Sequence, residues 1–354
     1  MSSNPNISIR EMNDDELWAW WLSLSDEWKW LFLREGLEKT ELWEELHQGF
    51  NKDYDYQKEF DWLDKELMSA YLKRLQKSSH LVFRWVTNIS PIAHLRHLSV
   101  LSLYGQINDI SVLANFTELF NLTVSGGQVR DISVLASLTG LTRLKLFNNQ
   151  IKDISVLSHL TELETLKLYI NQISDISALA HLTKLEHIGL AQNQIKDISP
   201  LVNLAKCRSL DLGKNQIQDL SIFATANLEW LNKLGLAGNQ ISDISPLNNT
   251  SLPRLYNLYL SDNQIEDLSS LTNLKEVSII HLKNNKIKDV SVFANLPKLS
   301  VLYLCNNQIT DIAPLANVTW LTSLNLRNNP INPKDIEWLK EKLPNCKIEF
   351  DAED

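Results

Sequence analysis

Ten aspartates recur along the chain, at positions 109, 131, 153, 175, 197, 219, 243, 267, 289 and 311. A ladder of carboxylates can hold a row of divalent cations, but calcium-binding arrays surround each ion with several ligands per turn on a glycine-rich loop. Here each turn supplies one Asp, and the whole chain has only 10 Gly. A carboxylate just before "ISPL" or "ISVL" instead suits the free N–H groups that open a short helical turn. Pro91, Pro200, Pro246 and Pro314 fall at the start of that turn, where a missing N–H does no harm. The column reads as architecture, and no metal is expected.

Other reactive types are sparse. Cys207, Cys305 and Cys346 are far apart and odd in number, which suggests free thiols in a reducing compartment rather than a disulfide framework. Cys207 takes the place of a core leucine, and Cys305 stands among surface positions without the His and carboxylate that would activate it. His159 and His181 share a column in adjacent turns but have no third ligand for zinc. Neither a catalytic residue nor a cofactor is expected.

What positions these residues is a repeat. Aligned on L-x-x-L-x-L-x-x-N, the chain places Asn at 149, 171, 193, 215, 239, 263, 285, 307 and 329, in steps of 22 except for two of 24 between Asn215 and Asn263. Gly127 takes the Asn slot one turn earlier, "LSVLSLYGQINDIS" lacks the slot, and "NISPIAHL" matches the second half of a turn. The array therefore spans about residues 80–330, with eleven strand segments. The alternating Leu pair predicts a half-buried strand, and one turn buries its apolar side only against its neighbours. The Asn amide can both donate and accept where the chain bends inward.

The unit "LxxLxLxxNQIxDISxLxxL" resembles the 22-residue leucine-rich repeat of bacterial internalins and of the leucine-rich regulatory subunit of protein phosphatase 1. That resemblance covers roughly 250 of 354 residues. It implies an α/β fold, a right-handed leucine-rich repeat solenoid curved like a horseshoe. A parallel sheet would line the concave face and short helical turns the convex face. It also implies a protein that binds proteins on the concave face and is not an enzyme.

If the Leu pair faces inward, the letters beside it face the concave solvent side. Those positions hold seven Lys/Arg and two Asp/Glu on a chain of net charge −9. The candidate partner-binding residues are Arg143, Lys145, Phe147, Lys167, Tyr169, His187, Lys233, Tyr259, His281, Lys283, Tyr303 and Arg327. Phe147 groups with Tyr169, and Tyr259 with Tyr303. Aromatic and Arg side chains on a rigid surface are typical anchors. Gly189, Ala191, Gly213, Gly235 and Ala237 predict a bare floor between them, open to a partner's backbone. Eleven strands about 4.8 Å apart would make a face roughly 50 Å wide, enough for a protein interface. The expected partner is an acidic protein surface with apolar anchors; nucleic acid and membrane are not expected partners, and the chain is expected to be monomeric.

The ends differ. Residues 1–79 form a Trp-rich acidic head; residues 1–80 hold 10 Lys/Arg against 17 Asp/Glu, and seven of the eleven Trp lie in the head. Start signals at Asp14–Asp15, Ser25 and Thr40, a stop at Gly36, and an apolar face of Phe60, Leu63, Leu67 and Tyr71 predict an all-helical N-terminal domain of three to four helices. It would cap the first repeat. Trp18, Trp20 and Trp21 cannot share one helix face, so at least one should meet another module. Residues 331–354 read as a C-terminal cap: a helix opening near Pro333 and Asp335, a strand-like "CKIEF", and an acidic tail. The N-terminus has neither a basic region nor an apolar core of a secretory signal, and Leu17–Leu33 is too interrupted to span a membrane. A cytoplasmic scaffold is the leading expectation. The alternative is an effector, exported by a specialised system, whose helical head acts on a target chosen by the repeats.

Overall fold

The computed structural model describes residues 8–25, 28, 29, 31, 32, 72–248 and 252–351. The chain forms two compact units, Met1–Ile151 and Lys152–Asp354. Each contains parallel strands joined by short 3-10 turns, as the repeat predicts.

The first unit contains a helix, Asp14–Ser23, and strands β1 (His80–Arg84), β2 (Val100–Tyr104), β3 (Asn121–Ser125) and β4 (Arg143–Lys145). Asn13 caps the helix: its Oδ1 accepts the N–H groups of Asp15 and Glu16, and Glu16 reaches back to the Asn13 N–H at 2.9 Å. Ser25 does open a second helical stretch, its hydroxyl accepting the Trp28 N–H at 3.4 Å. The helices predicted from Thr40 and across Phe60–Tyr71, and the stop at Gly36, lie outside the described residues; residues 72–77 are helical.

Trp20 and Trp21 are buried and Trp18 is half-buried. Trp28 and Phe32 pack on Phe83 of β1 with ring centroids 5.4 and 5.2 Å apart, and the Trp28 indole donates to the Asn88 carbonyl at 3.1 Å. Trp28 and Phe32 thus cover Phe83 of the first strand.

The second unit contains β5 (Thr165–Lys167), β6 (His187–Gly189), β7 (Ser209–Asp211), β8 (Lys233–Gly235), β9 (Asn257–Tyr259), β10 (Ile279–His281), β11 (Val301–Tyr303) and β12 (Ser323–Asn325). After them come the helix Pro333–Lys342 and β13 (Lys347–Glu349). Twelve strands lie between residues 80 and 330, one more than expected, because "HLVFR" pairs with β2 in full register. The strand-like "CKIEF" becomes β13 and closes the sheet beside β12.

Each turn fills the core with the same side chains. Leu163, Leu166, Leu168, Ile173, Leu179 and Leu182 are all 0% exposed. The Asn column works as its chemistry suggests. Asn193 donates from Nδ2 to the carbonyls of Leu168 and Leu190 at 3.0 and 2.9 Å, while its Oδ1 accepts the Ile173 N–H at 3.0 Å. Asn215, Asn239, Asn263, Asn285, Asn307 and Asn329 repeat the pattern. The Asp column caps from one position earlier than an N-cap: Asp175 Oδ1 accepts the Ser177 N–H at 2.8 Å, with Ile176 between them. That bond, repeated at Asp131, Asp153, Asp243 and Asp289, holds these carboxyls below the ordinary carboxylate range.

The two 24-residue steps leave the register intact, since Ser209 pairs with Lys233 and Lys233 with Asn257. Their extra residues fall between the Asp and the following strand, just before β8 and β9.

Candidate binding surface

In the second unit the third strand position, which faces away from the core, runs Lys167, Gly189, Asp211, Gly235, Tyr259, His281, Tyr303, Asn325 and Glu349. Parallel strands in register set equal positions about 4.8 Å apart, which is also a ring-stacking distance. The rings use it. Tyr259 and His281 have centroids 4.7 Å apart, and His281 and Tyr303 4.4 Å. Lys233 places its ammonium 5.3 Å from the Tyr259 ring centroid. Tyr259 and Tyr303 therefore associate through His281 rather than directly. Burial pushes the His281 imidazole below its ordinary value.

The expected bare floor is partly covered. A Cβ built on Gly189 would lie 2.6 Å from Tyr169 Cε1 and 2.8 Å from Lys167 Cδ, so both side chains lean across the glycine. A Cβ on Gly235 would lie 2.7 Å from Asp211 Oδ1, which also accepts the Gly213 N–H at 3.2 Å. The glycines make room for neighbouring side chains of this chain. Burial, with the Asp211 charge second, pushes the Tyr169 hydroxyl up.

The residue before each Asn is left-handed: Ile170, Gln192, Lys214, Asp262, Asn284, Asn306 and Asn328 have φ between 52° and 59°. Asn and Gly suit that conformation; a β-branched residue does not. Ile170 nevertheless occupies it and is 42% exposed. At the far end the side chains of Asp262, Asn284, Asn306 and Asn328 form a hydrogen-bonded row, and Asp351 accepts the Asn328 N–H at 2.6 Å. Arg327, expected to face a partner, is 3.7 Å from Glu349 and is partly neutralised by the cap.

Lys283 and His187 are exposed as expected, but β7 separates His187 from Lys233 and the ring stack. In the first unit Arg143 is exposed, and Lys145 and Phe147 are half-buried. Thr123 and Ser125, expected to face solvent, are 3% and 5% exposed, short side chains beside the longer Lys145 and Tyr104 respectively in the register. Arg143, Lys145 and Phe147 belong to the first unit, and Lys167 and Tyr169 to the second.

The thiols are poor nucleophiles. Burial pushes Cys207 up to about 12 and Cys346 up to about 11, and raises Cys305. Among the described residues no group of His, Cys, Asp or Glu is placed to hold a metal, and no helix is long and apolar enough to cross a membrane. A groove of about 610 Å³ between two turns, lined by Lys196, Asp197, Ser199, Asp219 and Ser221, has the same column residues as the smaller one at Lys152–Ser177. It is a by-product of the repeat.

Two family models match the second unit: "Leucine Rich repeats (2 copies)" at residues 161–203, 205–249 and 297–341, and "Leucine rich repeat" at 253–309. The Listeria monocytogenes internalin inlF is 35% identical in sequence and superposes with a TM-score of 0.72, over 79% of this chain and 84% of its own. The chain belongs to the leucine-rich repeat family. It resembles the internalins within it. A leucine-rich repeat protein of Leptospira interrogans shares the fold at 24% identity and a TM-score of 0.59, over 75% of this chain and 81% of its own. A plant peptide hormone receptor does so at 21% identity and a TM-score of 0.61, over 76% of this chain and 50% of the receptor. No curated protein matches the chain.

Several exposed residues of this leucine-rich repeat protein were not singled out by the repeat pattern. Trp85 is 77% exposed with φ of 67°. Trp230 and Tyr256 are 43% and 50% exposed, at the corner leading into β8 and β9. Column reasoning credited only the letters beside the Leu pair; the two-residue insertions were the signal pointing to that corner.

Proposed function

We propose that the chain is a non-enzymatic protein-binding scaffold whose partner seats on the strand face of the second unit, the face expected to be concave. The observation that carries this reading is the Tyr259–His281–Tyr303 stack with Lys233 at its end. Three rings held by the sheet are preorganised, so a partner orders little when it meets them. Lys233 and Lys283 beside them favour an acidic partner surface with apolar anchors. Ile170 supports the reading: an exposed apolar side chain in a left-handed position costs stability and buries little within this chain. Arg143, Lys145 and Phe147 would extend contact on the first unit. The head acts as a cap in this reading, since Trp28 and Phe32 are engaged on Phe83 and Asn88. Three free cysteines fit a reducing, cytoplasmic setting.

The test is affinity capture from the cells that make the protein, comparing wild type with a folded Lys233→Glu, Lys283→Glu, Tyr303→Ala variant. A partner retained by wild type and lost by the variant is the expected result. An unchanged set of partners would overturn the assignment.

A further inference from the structure

A second surface lies at the corner before β8 and β9. Trp230 is 43% exposed and stands between two arginines, one from each neighbouring turn. The Arg254 guanidinium lies 4.1 Å from a Trp230 ring centroid and that of Arg208 lies 5.5 Å away. Tyr256, 50% exposed, is two residues from Arg254. Arg208 is paired with Glu186 at 2.9 Å. Arg254 has no carboxylate within ion-pair reach among the described residues, and Lys206 adds a further exposed cation.

A second observation marks the same place. The only two departures from the 22-residue step among Asn149–Asn329 fall in the turns that carry Trp230 and Arg254. The strand register ignores both insertions. The sheet does not need them, and in sequence they fall just before the Leu228–Trp230 and Leu252–Arg254 segments.

We infer that this corner is a second docking site, separate from the ring stack, for an acidic segment of a partner protein that carries an apolar residue beside its carboxylates. Trp, Tyr and Arg are the side chains that most often dominate interface energy. A guanidinium held over an indole has already lost much of its freedom and presents a planar fork that matches a carboxylate in two hydrogen bonds. The exposed remainder of Trp230 and the Tyr256 ring offer the apolar contact. Glu186, paired with Arg208, and a chain net charge of −9 work against the extended polyanions of a nucleic acid or an anionic bilayer.

Random short peptides displayed on phage, selected on the full chain and counter-selected on an Arg254→Gln, Trp230→Ala variant, test the inference. The expected result is enrichment of peptides with paired Asp or Glu next to an apolar residue. The best such peptide, synthesised, should lose at least about tenfold in affinity with Arg254→Gln or Trp230→Ala. Arg254→Lys should recover only part of the loss, because an ammonium lacks the fork. Tyr303→Ala should change affinity by less than about twofold, which separates this site from the ring stack. Trp230 and Arg254 are exposed, so unchanged circular dichroism and melting should accompany the variants at these two positions. No enrichment over the variant, or a consensus without acidic residues, would overturn the inference. So would binding to phosphatidylserine vesicles or to a single-stranded oligonucleotide that the same variants abolish.

Discussion

His281 lies against Tyr303 with ring centroids 4.4 Å apart and planes 26° from parallel, and Tyr259 closes the other side at 4.7 Å. Desolvation by these neighbours lowers the imidazole below its ordinary value. The unfolded chain then takes up the proton first as pH falls. The stack's contribution to stability is complete above the ordinary imidazole range and is lost as pH falls through the lowered folded value. An NMR titration of the His281 ring should give a midpoint below the ordinary value, and Tyr259→Ala, Tyr303→Ala should move it back up. A normal midpoint in wild type would contradict the packing.

The asparagine column should be the costliest place to cut. Asn215 donates to the Leu190 and Leu212 carbonyls at 3.1 and 2.9 Å and accepts the Ile195 N–H at 3.0 Å. Alanine would leave those buried backbone groups unpaired. Asn215→Ala is expected to destabilise the second unit by about 3 kcal/mol, read from urea unfolding. A loss within about 0.5 kcal/mol would mean that the amide merely fills space.

Ile170 should trade stability for binding. Replacing it by Asn puts a side chain that tolerates the left-handed region at φ of 59°. Ile170→Asn is expected to raise stability by about 1 kcal/mol while weakening partner capture. Lower stability would show that Ile170 packs usefully within the chain.

Acid should loosen the turns opposite the strand face. The Asp carboxyls at 131, 153, 175, 243 and 289 are lowered first by the Ser N–H bond. Their contribution is present above the ordinary carboxylate range and is lost as pH falls through the lowered folded values. Between about pH 5 and about pH 3, the urea midpoint of wild type should fall more steeply than that of Asp175→Asn, which keeps the acceptor oxygen without the charge. Parallel curves would contradict the role.

Much of this was legible because the repeat makes one physical problem recur. Leu166 and Leu168 alternate with polar letters, Asn193 sits where the chain bends, and Asp175 precedes a turn; each position has one solution, restated every turn. The surface was legible only by position. That His281 would separate Tyr259 from Tyr303, that Tyr169 would lean over Gly189, and that Glu349 would neutralise Arg327 depend on neighbours across strands, which a column alignment lists but does not fit together. The Trp230 corner escaped because Trp230 and Arg254 stand in a regular column, three residues before β8 and β9, that lies outside the strand letters credited with contact.

The most direct test of the central claim is site-specific photo-crosslinking in the cells that make the protein. A benzophenone side chain would be placed in turn at Tyr303 on the strand face and at Ser158 on the turn side. The account predicts a discrete crosslinked partner from Tyr303 and none from Ser158. Crosslinks from Ser158 alone would place the partner on the opposite face and contradict it.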